Sequence, residues 1–466
     1  MSISVHPCSS VAKVRAGTTP FAVLCALAGE RLPFFLDSGM DPRRLGRFSF
    51  VGCDPFLVLQ LRGRRVWVNG ARVGRNPFAV LRRLLKAHRR PPAESPVPFT
   101  GGAVGYFAYD LGRFVERLPD HTRDDIPLPE AHFAFYDVVA GFDHQTGTWY
   151  VASADLGVKG AAKRRKRLAS AVRAAPPAPP FPPVSARGLT SNFSHDAYLR
   201  AVRRAKEYIA AGDIFQVNLS QRFQAETDAP PLELYAALRA ANPAPFACYL
   251  PLDPAHAVLS SSPERYLRVT GRHAETRPIK GTRPRRRDDE AFNRRMRAEL
   301  LASEKDRAEL TMIVDLERND LGRVCAYGSV RVTESIVLEE YPTVYHLVAT
   351  VEGDLHKRQD LIDLIKASFP GGSITGAPKI RAMEIIDELE PTKRSVYTGN
   401  IGYIGFDGRA DLNIAIRTML LADGTVYAQV GGGIVADSEP EAEYQETLDK
   451  ARAMLQALGL DQAESG

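Results

Sequence analysis

A run of prolines, "AAPPAPPFPP" at positions 174–183, limits the folds open to this chain more than any other segment. Proline lacks a backbone N–H and fixes φ, so the run fits neither a helix interior nor a central strand. Before it lie short strand-like runs such as "RFSFVGCDPFLVLQLRGRRVWV", separated by glycine and aspartate turns. After it, helical and strand patterns mix without regular βαβ alternation. We therefore predict an α+β fold with large antiparallel sheets.

The same run suggests how the chain is divided. We predict an N-terminal domain at residues 1–173, a proline-rich linker at 174–190 and a second domain at 191–466. A linker of this composition favours an extended, non-helical conformation.

Composition and charge exclude several classes of protein. Of the 466 residues, 44% are hydrophobic and 25% charged, and no apolar run is long enough to span a membrane. The start lacks the pattern of an export signal, and the five widely spaced cysteines suggest neither a disulfide framework nor a zinc site. We expect a cytoplasmic protein without a membrane partner.

The net charge of +6 raises the question of a nucleic-acid partner. The densest basic run, "KGAAKRRKRLASAVR" at 159–173, has helical spacing and no interleaved aromatic residues for base stacking. A solvated helix face is the favoured interpretation, so we expect no nucleic-acid partner.

Lys280 stands in "AETRPIKGTRPR" (274–285), a segment otherwise rich in arginine. Arginine stays protonated in proteins, whereas lysine loses its proton when it is desolvated or placed beside other cations, and then becomes a nucleophile. The alternative is a surface lysine beside a turn. The segment alone does not decide between them.

A hairpin is predicted in "LSSSPERYLRVTGRHAETRPIKGT", with its turn near Gly271. Pairing from that turn places Glu264 opposite Ile279, to within one residue, and therefore near Lys280. A carboxyl group beside an amine can act as acid or base next to a nucleophile. A cross-strand salt bridge is the alternative.

Two predicted helices each present an acidic pair three residues apart on one face. Asp306 and Glu309 lie in "SEKDRAELTMIVDLERNDLGR", and Glu443 and Glu446 lie in "EPEAEYQETLDKARAMLQAL", where Lys450 continues the face. Four carboxylates on two helices could hold one Mg²⁺, which prefers a few carboxylates together with water and an anionic substrate. Two solvated helix faces are the alternative.

Further segments offer groups that bind anions. "SFPGGSITGAPKIRAMEIIDELEP" is a glycine-rich loop that enters a helix near Pro378, and Gly431, Gly432 and Gly433 form a second stretch of bare backbone. Neither has the spacing of a nucleotide-binding motif. Between them, Tyr403 is predicted on one strand and Arg417 on the next, where Arg417 could grip a carboxylate or form a structural ion pair.

The alternation in "IFQVNLSQRF" (214–223) predicts a strand. Its apolar face includes Phe215, and its polar face begins at Gln216. The polar face belongs either to solvent or to a site.

Together, the segments from Ser194 to Leu458 resemble the chorismate-utilising enzymes, and every motif is in the order found in that family. The N-terminal part resembles the matching domain of anthranilate synthase component I more weakly. The resemblance implies a sandwich of antiparallel sheets flanked by helices, chorismate as the substrate and Mg²⁺ as the cofactor. The chain lacks the motif of a glutaminase nucleophile, so ammonia is expected from a separate glutamine amidotransferase subunit.

Residues at two positions distinguish the reactions catalysed within this family. Members that use water as the nucleophile carry a lysine where this chain has Gln216, so the resemblance implies ammonia as the nucleophile. Anthranilate synthases carry "PIAGT" where this chain reads "PIKGT", and the lysine marks the aminodeoxychorismate synthase branch. The resemblance thus implies amination of chorismate in p-aminobenzoate and folate biosynthesis. Formation of anthranilate is the alternative.

The resemblance also implies roles for individual residues. Lys280 resembles the covalent nucleophile, Glu264 the proton donor and His346 an electrostatic partner of the substrate. Glu309 and Glu446 resemble direct metal ligands, and Asp306 and Glu443 ligands that act at a greater distance or through water. The expected substrate-binding residues are Gln216, Thr375, Gly376, Tyr403, Arg417, Gly431, Gly432, Gly433 and Lys450. Ser38, in "FLDS", matches a serine at the tryptophan site of relatives.

Overall fold

The computed structural model describes residues 10–38, 40, 45–92, 94–341 and 344–460. Two large sheets, each of twelve strands, dominate this part of the chain, and every pairing between their strands is antiparallel. The predicted α+β class with large antiparallel sheets is confirmed. No helix within the described ranges has the length and apolar character needed to cross a membrane.

The strands, in chain order, are β1 Ser10–Val14, β2 Phe34–Asp37, β3 Phe48–Gly52, β4 Leu57–Arg62, β5 Arg65–Val68, β6 Ala71–Gly74, β7 Gly102–Phe107, β8 Ala131–Tyr136, β9 Val138–Asp143, β10 Thr148–Ser153, β11 Ala186–Ser191, β12 Gln216–Thr227, β13 Phe246–Asp253, β14 His256–Ser262, β15 Arg265–Thr270, β16 His273–Arg277, β17 Ile279–Pro284, β18 Arg331–Glu340, β19 Val344–Asp354, β20 Gly376–Ala377, β21 Asn400–Gly405, β22 Ala410–Ile414, β23 Thr418–Ala422 and β24 Thr425–Ile434. The α-helices are α1 Pro20–Leu27, α2 Pro77–Ala87, α3 Ala161–Ala174, α4 His195–Ala210, α5 Pro231–Ala241, α6 Glu290–Ala302, α7 Glu304–Gly322, α8 Leu361–Ser368, α9 Lys379–Leu389 and α10 Pro440–Ala457. Short 3₁₀ helices cover Tyr109–Phe114 and Gly372–Ile374.

Both sheets combine strands from before and after the proline-rich run. The first sheet has the order β1-β10-β9-β3-β2-β13-β14-β23-β24-β12-β11, with β20 paired to β12. The second has the order β17-β19-β16-β15-β22-β21-β7-β8-β4-β5-β6, with β18 paired to β19. Residues 175–185 form neither helix nor strand. The strands on either side of them are therefore interleaved in space.

Alternate residues of the same strand enter different cores, because successive side chains of a strand point to opposite faces. On β7, Val104 and Tyr106 face the core between the two sheets, whereas Ala103 and Phe107 face the core under the helices of the second sheet. On β9, Val139 faces the first of these cores. The fold is thus a sandwich with helices on both outer faces, and both faces of its central strands are buried.

The hairpin and the helices of the predicted site are confirmed. Strands β15 and β16 pair with Thr270 opposite His273 around Gly271, in the predicted register. The helices α7 and α10 carry the two acidic pairs, and Ser303 caps α7 by accepting a hydrogen bond from the backbone of Asp306.

One detail of the predicted strand at 214–223 is wrong. Phe215, assigned to an apolar core face, is 73% exposed. The strand begins one residue later, at Gln216, and from there both faces are buried, including the polar residues Gln216 and Ser220. The alternation was right, but Phe215 lies outside the pleated segment.

A buried ion pair fixes the glycine-rich loop against β12. Arg394 is 1% exposed and donates two hydrogen bonds to the carboxylate of Glu390, at 2.6 and 2.9 Å. It also donates to the carbonyl oxygens of Ile374 (3.0 Å) and Asn218 (2.7 Å). Glu390 in turn accepts from the backbone and hydroxyl of Ser220. One guanidinium group thereby joins the loop, the strand and the end of α9.

Replacing Arg394 by Met is expected to lower the free energy of unfolding by about 3–5 kcal/mol, because it leaves the carboxylate of Glu390 buried without a cation. The double variant R394M/E390Q leaves no buried charge and should regain most of the loss. Urea unfolding of the three proteins measures both effects. If the double variant were less stable than R394M, the charge imbalance would not be the cause.

The strand β17 contains a bulge that requires glycine. Its register against β19 shifts between Lys280 and Thr282, and the intervening Gly281 has φ +72°. A Cβ at Gly281 would lie 2.9 Å from side-chain atoms of Asp306 and of Leu300. The backbone therefore passes close to α6 and α7 immediately after Lys280. The bulge lies directly beside Lys280 and so affects the orientation of its side chain.

The variant G281A is expected to lose about 3 kcal/mol of stability, from the left-handed backbone and the crowding together. Gly271 is a matched control, since it also has positive φ (+66°) but a Cβ there would meet no described atom within 4 Å. The variant G271A should lose only about 1 kcal/mol, from the backbone conformation alone. Equal losses in urea unfolding would contradict the crowding at Gly281.

Candidate functional site

Three carboxylates from two helices converge on the side-chain-free part of β24. A Cβ at Gly432 would lie 3.2 Å from an Oε of Glu443 and 3.5 Å from one of Glu446. A Cβ at Gly433 would lie 2.7 Å from Oε1 of Glu309. Glycine at these positions leaves the space that the carboxylates occupy. The structure thus brings Glu309 of α7 together with the acidic pair of α10.

Lys280 is part of this cluster and is not a surface lysine. Its side chain is 12% exposed, and its Nζ donates to Oε1 of Glu309 at 2.7 Å. The amide of Gln216 donates to the same oxygen at 2.6 Å. Burial alone would lower the pKa of Lys280, but Glu309, with smaller contributions from Glu264 and Glu446, raises it above its ordinary value. The lysine is therefore held as a cation in an ion pair.

Glu264 lies in the turn between β14 and β15, close to Lys280 as predicted. It is 4% exposed, and burial raises its pKa to about 7, although the nearby Ser373 hydroxyl and Lys280 oppose the increase. A carboxyl group with such a pKa carries its proton in a large part of the molecules at neutral pH. Glu264 therefore has the properties of a proton donor.

His346 lies on β19, directly opposite Thr282 of β17. Its Nδ1 lies 2.9 Å from the hydroxyl oxygen of Thr282, and the ring of Tyr341 packs edge-on against it with centroids 5.4 Å apart. Burial lowers the pKa of His346 to about 4. The imidazole is therefore neutral near pH 7, so it can interact with a ligand by hydrogen bonding but not as a cation.

The carboxylates of the cluster already have partners. Glu446 pairs with Lys450 at 2.5 Å, and Glu443 accepts from the hydroxyl of Ser438 at 2.6 Å. Asp306 pairs with Arg283 at 3.3 Å. In the part of the chain that the structure describes, no three His, Cys, Asp or Glu side chains are arranged to hold a metal ion as they stand.

The donor set nevertheless fits Mg²⁺. Its members are oxygen atoms from Glu309, Glu443 and Glu446, and the proximity of Glu446 contributes to raising the pKa of Glu443, after the larger effect of burial. Carboxylates that repel one another across a glycine-lined gap suit a hard cation. Two buried polar atoms nearby, Gln216 Oε1 and Asn218 Oδ1, have no hydrogen-bond partner among the described residues. These atoms are available to water or to a polar ligand.

Groups predicted to bind the substrate border the same space. The Nζ of Lys450 donates to the carbonyl of Gly431 at 2.8 Å, and Arg417 donates to the backbone carbonyl of Lys450 at 3.0 Å. Gly376 pairs with Val217 of β12, and a Cβ there would lie 2.2 Å from the backbone oxygen of Gln216. Thr375, also predicted to bind the substrate, is buried, and its hydroxyl donates a hydrogen bond to the carbonyl of Gly371 at 3.0 Å.

The structure places Tyr403 elsewhere. It lies on β21 in the core between the sheets, stacked on Phe99 with ring centroids 4.4 Å apart. Arg417 is not on the next strand but in the connection between β22 and β23, with φ +51°. The tyrosine that interacts electrostatically with Arg417 is Tyr397, which is buried. Sequence reasoning missed Tyr397, because it precedes the strand and has no place in a strand pattern.

Tyr403 and Ser38 line a second cavity of about 300 Å³ between the sheets. Arg265 and Asp411 line it too, and the hydroxyl of Ser38 donates to the carbonyl of Pro245 at 3.1 Å. The binding of tryptophan at Ser38 stays a prediction. The cavity adjoins the candidate site through the chain itself, since Arg265 directly follows Glu264.

Replacing Glu264 by Gln is expected to change how stability depends on pH. Folded wild type keeps the proton up to about pH 7, whereas the unfolded chain loses it near 4.5. The unfolding free energy of the wild type therefore falls, relative to that of E264Q, as the pH rises through this interval, by about 3 kcal/mol. Urea unfolding at pH 4 and pH 8 measures the difference. A difference independent of pH would contradict the raised pKa.

Comparisons with known proteins show the family of the chain. Residues 37–456 match the family model described as chorismate binding enzyme. The chain is 43% identical to anthranilate synthase component 1 of Thermus thermophilus, covering 96% of each chain. It is 44% identical to aminodeoxychorismate synthase component 1 of Salmonella typhimurium, covering 91% of this chain and 92% of the relative.

A solved structure gives the same result. Anthranilate synthase component I from Streptococcus pneumoniae superimposes with a TM-score of 0.79 at 33% identity, covering 88% of this chain and 92% of that one. It supports the sandwich architecture and the family together. The chain belongs to the chorismate binding enzyme family and is an enzyme that acts on chorismate.

Proposed function

We propose that this enzyme aminates chorismate at C4 with ammonia, giving 4-amino-4-deoxychorismate and water. The observation that supports this most is the position of Lys280. Its amine lies 2.7 Å from Glu309, inside the acidic cluster and electrostatically coupled to the buried acid Glu264. An amine in this position can reach a ring bound against the cluster, and the family resemblance associates a lysine here with amination.

The proposed reaction has two displacements. Lys280, freed from its ion pair and neutral, attacks C2 of the ring, both ring double bonds shift, and the C4 hydroxyl leaves as water with the proton of Glu264. The surplus proton on the lysine nitrogen returns to Glu264. Ammonia then forms a bond to C4, both double bonds shift back, and the bond between C2 and Lys280 breaks as Glu264 gives its proton to the departing lysine nitrogen. The new ammonium group at C4 returns one proton to Glu264, which leaves the amine product and neutral Lys280.

The residues around the acidic cluster suggest an orientation for bound chorismate. We propose that the ring carboxylate lies toward Thr375, Gly376 and Lys450, and that the enolpyruvyl carboxylate is bound by Arg417 and the backbone at Gly432 and Gly433. Tyr397, beside Arg417, takes the place that sequence reasoning gave to Tyr403. His346, neutral and buried, would hydrogen-bond the substrate.

The proposed cofactor is Mg²⁺. Glu309 and Glu446 would hold it directly, with Glu443 and Asp306 acting through water. When bound, such an ion neutralises and polarises a substrate carboxylate and so favours departure of the hydroxyl group. Glu309 would have to exchange its contact with Lys280 for the ion.

The source of ammonia is proposed to be a separate glutaminase subunit. Relatives carry names that designate component 1 of an enzyme, which implies a second component. In this proposal residues 191–466 carry the reacting groups.

Formation of anthranilate is the second candidate. It is favoured by the 43% identity to anthranilate synthase component 1 and by the likeness to the solved anthranilate synthase. Both reactions begin from chorismate and ammonia, but anthranilate requires loss of pyruvate and aromatisation of the ring. Lys280 is the feature that favours amination alone.

Product identification separates the two candidates. The protein, chorismate and ammonium salt are incubated with Mg²⁺ or with EDTA, and products are separated and identified by mass spectrometry. We expect 4-amino-4-deoxychorismate without pyruvate, and no product with EDTA. Anthranilate fluorescence with equimolar pyruvate would establish the second candidate instead.

A covalent adduct on Lys280 is expected when chorismate and Mg²⁺ are supplied without ammonia. Intact-mass measurement should show the adduct in the wild type and none in K280A. Lys305 provides a matched control, because its amine lies 3.7 Å from Glu443 at the edge of the same cluster but is exposed. The variant K305A should keep the adduct. An adduct that persists in K280A would contradict the assignment of the nucleophile.

A further inference from the structure

A third cavity, of about 580 Å³, lies apart from the chorismate site. It is bounded by the C-terminal half of α2, the β15–β16 turn, the segment 355–362 and the β21–β22 turn. The β15–β16 hairpin separates it from the site, since Glu264 precedes one end of the hairpin and the turn at Gly271 forms the other. Six strand residues at about 3.3 Å each place these ends about 20 Å apart.

The charged side chains that line this cavity are mostly cationic. Six are basic and two acidic: Arg82, Lys86, Arg89, Arg272, Lys357 and Arg358 against Asp360 and Asp407. Such an excess within one concavity focuses a positive potential toward its interior.

Two of the six cations build the wall. Arg82 of α2 forms ion pairs with Asp360 (2.9 Å) and Asp363 at the start of α8. Arg272 donates from Nε to the carbonyl of Leu355 at 2.9 Å and from Nη2 to the carbonyl of His356. These contacts join three segments that are distant in sequence, so the cavity has a fixed shape.

The other four cations are available to a ligand. Lys86 projects from α2, Arg89 from the segment just after it, and Lys357 and Arg358 from the facing loop, and all four are exposed. Across the described ranges, no side-chain hydrogen bond, ion pair or ring contact engages any of them. Four like charges around one concavity repel each other, and an anion bound among them would relieve that repulsion.

The floor of the cavity is apolar. It is formed by Leu85, Leu355, Leu361, Ile362, Ile404 and Phe406. Leu355, Ile362 and Phe406 are buried, so their contacts with the core hold this floor in place. A volume of several hundred cubic ångströms with an apolar floor and polar groups at the rim is typical of sites for small organic ligands.

We propose that this cavity binds a small organic anion that carries phosphate or carboxylate groups on an apolar body. The anionic groups of the ligand contact the four cations Lys86, Arg89, Lys357 and Arg358. The apolar part of the ligand packs against the apolar floor of the cavity. Guanidinium and ammonium groups form charge-assisted hydrogen bonds with phosphate and carboxylate oxygens. The ligand is distinct from chorismate, whose proposed contacts are all at the other end of the hairpin.

Charge reversal at the rim tests the site. Inorganic pyrophosphate is titrated into the full-length protein by isothermal titration calorimetry at 0.15 M salt, without chorismate. The variant K357E/R358E should bind at least tenfold more weakly than the wild type. The matched control is K163E/K166E, which changes the net charge equally on the exposed face of α3, and it should bind like the wild type. Equal weakening in both variants, or no binding to the wild type, would overturn the proposal.

The apolar floor has its own test. Phenyl phosphate should bind at least tenfold more tightly than inorganic phosphate to the wild type, because its ring lies against Leu361 and Phe406. Equal affinities would contradict an organic ligand. Both titrations are independent of the amination proposal, since neither uses chorismate, and K357E/R358E should aminate chorismate at the rate of the wild type.

Discussion

The close approach of two acidic helices to a bare strand is the constraint on which the site depends. Gly432 and Gly433 leave room for Glu309 of α7 and for Glu443 and Glu446 of α10. A Cβ at Gly433 would overlap the side chains of Gln216 and Glu309, and one at Gly432 would crowd Glu443. β24 is an internal strand of its sheet, between β23 and β12, and α10 packs against it, so the carboxylates of α10 lie close to the bare backbone.

Buried charge in this fold is balanced in two different ways. Arg394 and Glu390 form a closed pair, with each guanidinium and carboxylate group engaged by fixed partners. Lys280 and Glu309 form an open pair, because unpartnered polar atoms of Gln216 and Asn218 lie beside it. The first pair holds the glycine-rich loop in place. The second borders space for a ligand, and it is the one whose members the proposed reaction has to separate.

Sequence reasoning was most successful where local chemistry determines structure. The turn at Gly271 and the two acidic helices follow from residues within a few positions of each other, and the structure confirms them. Pairing from the turn also placed Glu264 beside Lys280. Convergence of α7 and α10 on β24 could only be expected from the family resemblance, because it depends on contacts between segments more than a hundred residues apart.

The wrong predictions concern the environment of single strand residues: Tyr403 was assigned to the site and Phe215 to the core. Alternation predicts two faces, but in a sandwich covered by helices both faces are buried, so burial alone does not place Tyr403 at the site. Its side chain faces the core between the sheets, while Tyr397, just before β21, lies near Arg417. Phe215 shows the same limit at a strand end, where one residue decides between core and solvent. For Tyr403 the missing information is the layer order, which arises from pairings between β2 and β13 and between β7 and β21 that join the two parts of the chain.

The two ends of the β15–β16 hairpin border different groups. At one end Glu264 and Lys280 meet acidic groups and a buried, partly unsatisfied space; at the other Arg272 meets a cavity rich in unpaired cations. The hairpin is held in place at its Glu264 end, because Arg265 pairs there with both Asp411 and Glu275. The two ends of one hairpin therefore border different kinds of space. At one end carboxylates are paired with lysines, and at the other four of the cations that line the cavity have no side-chain partner among the described residues.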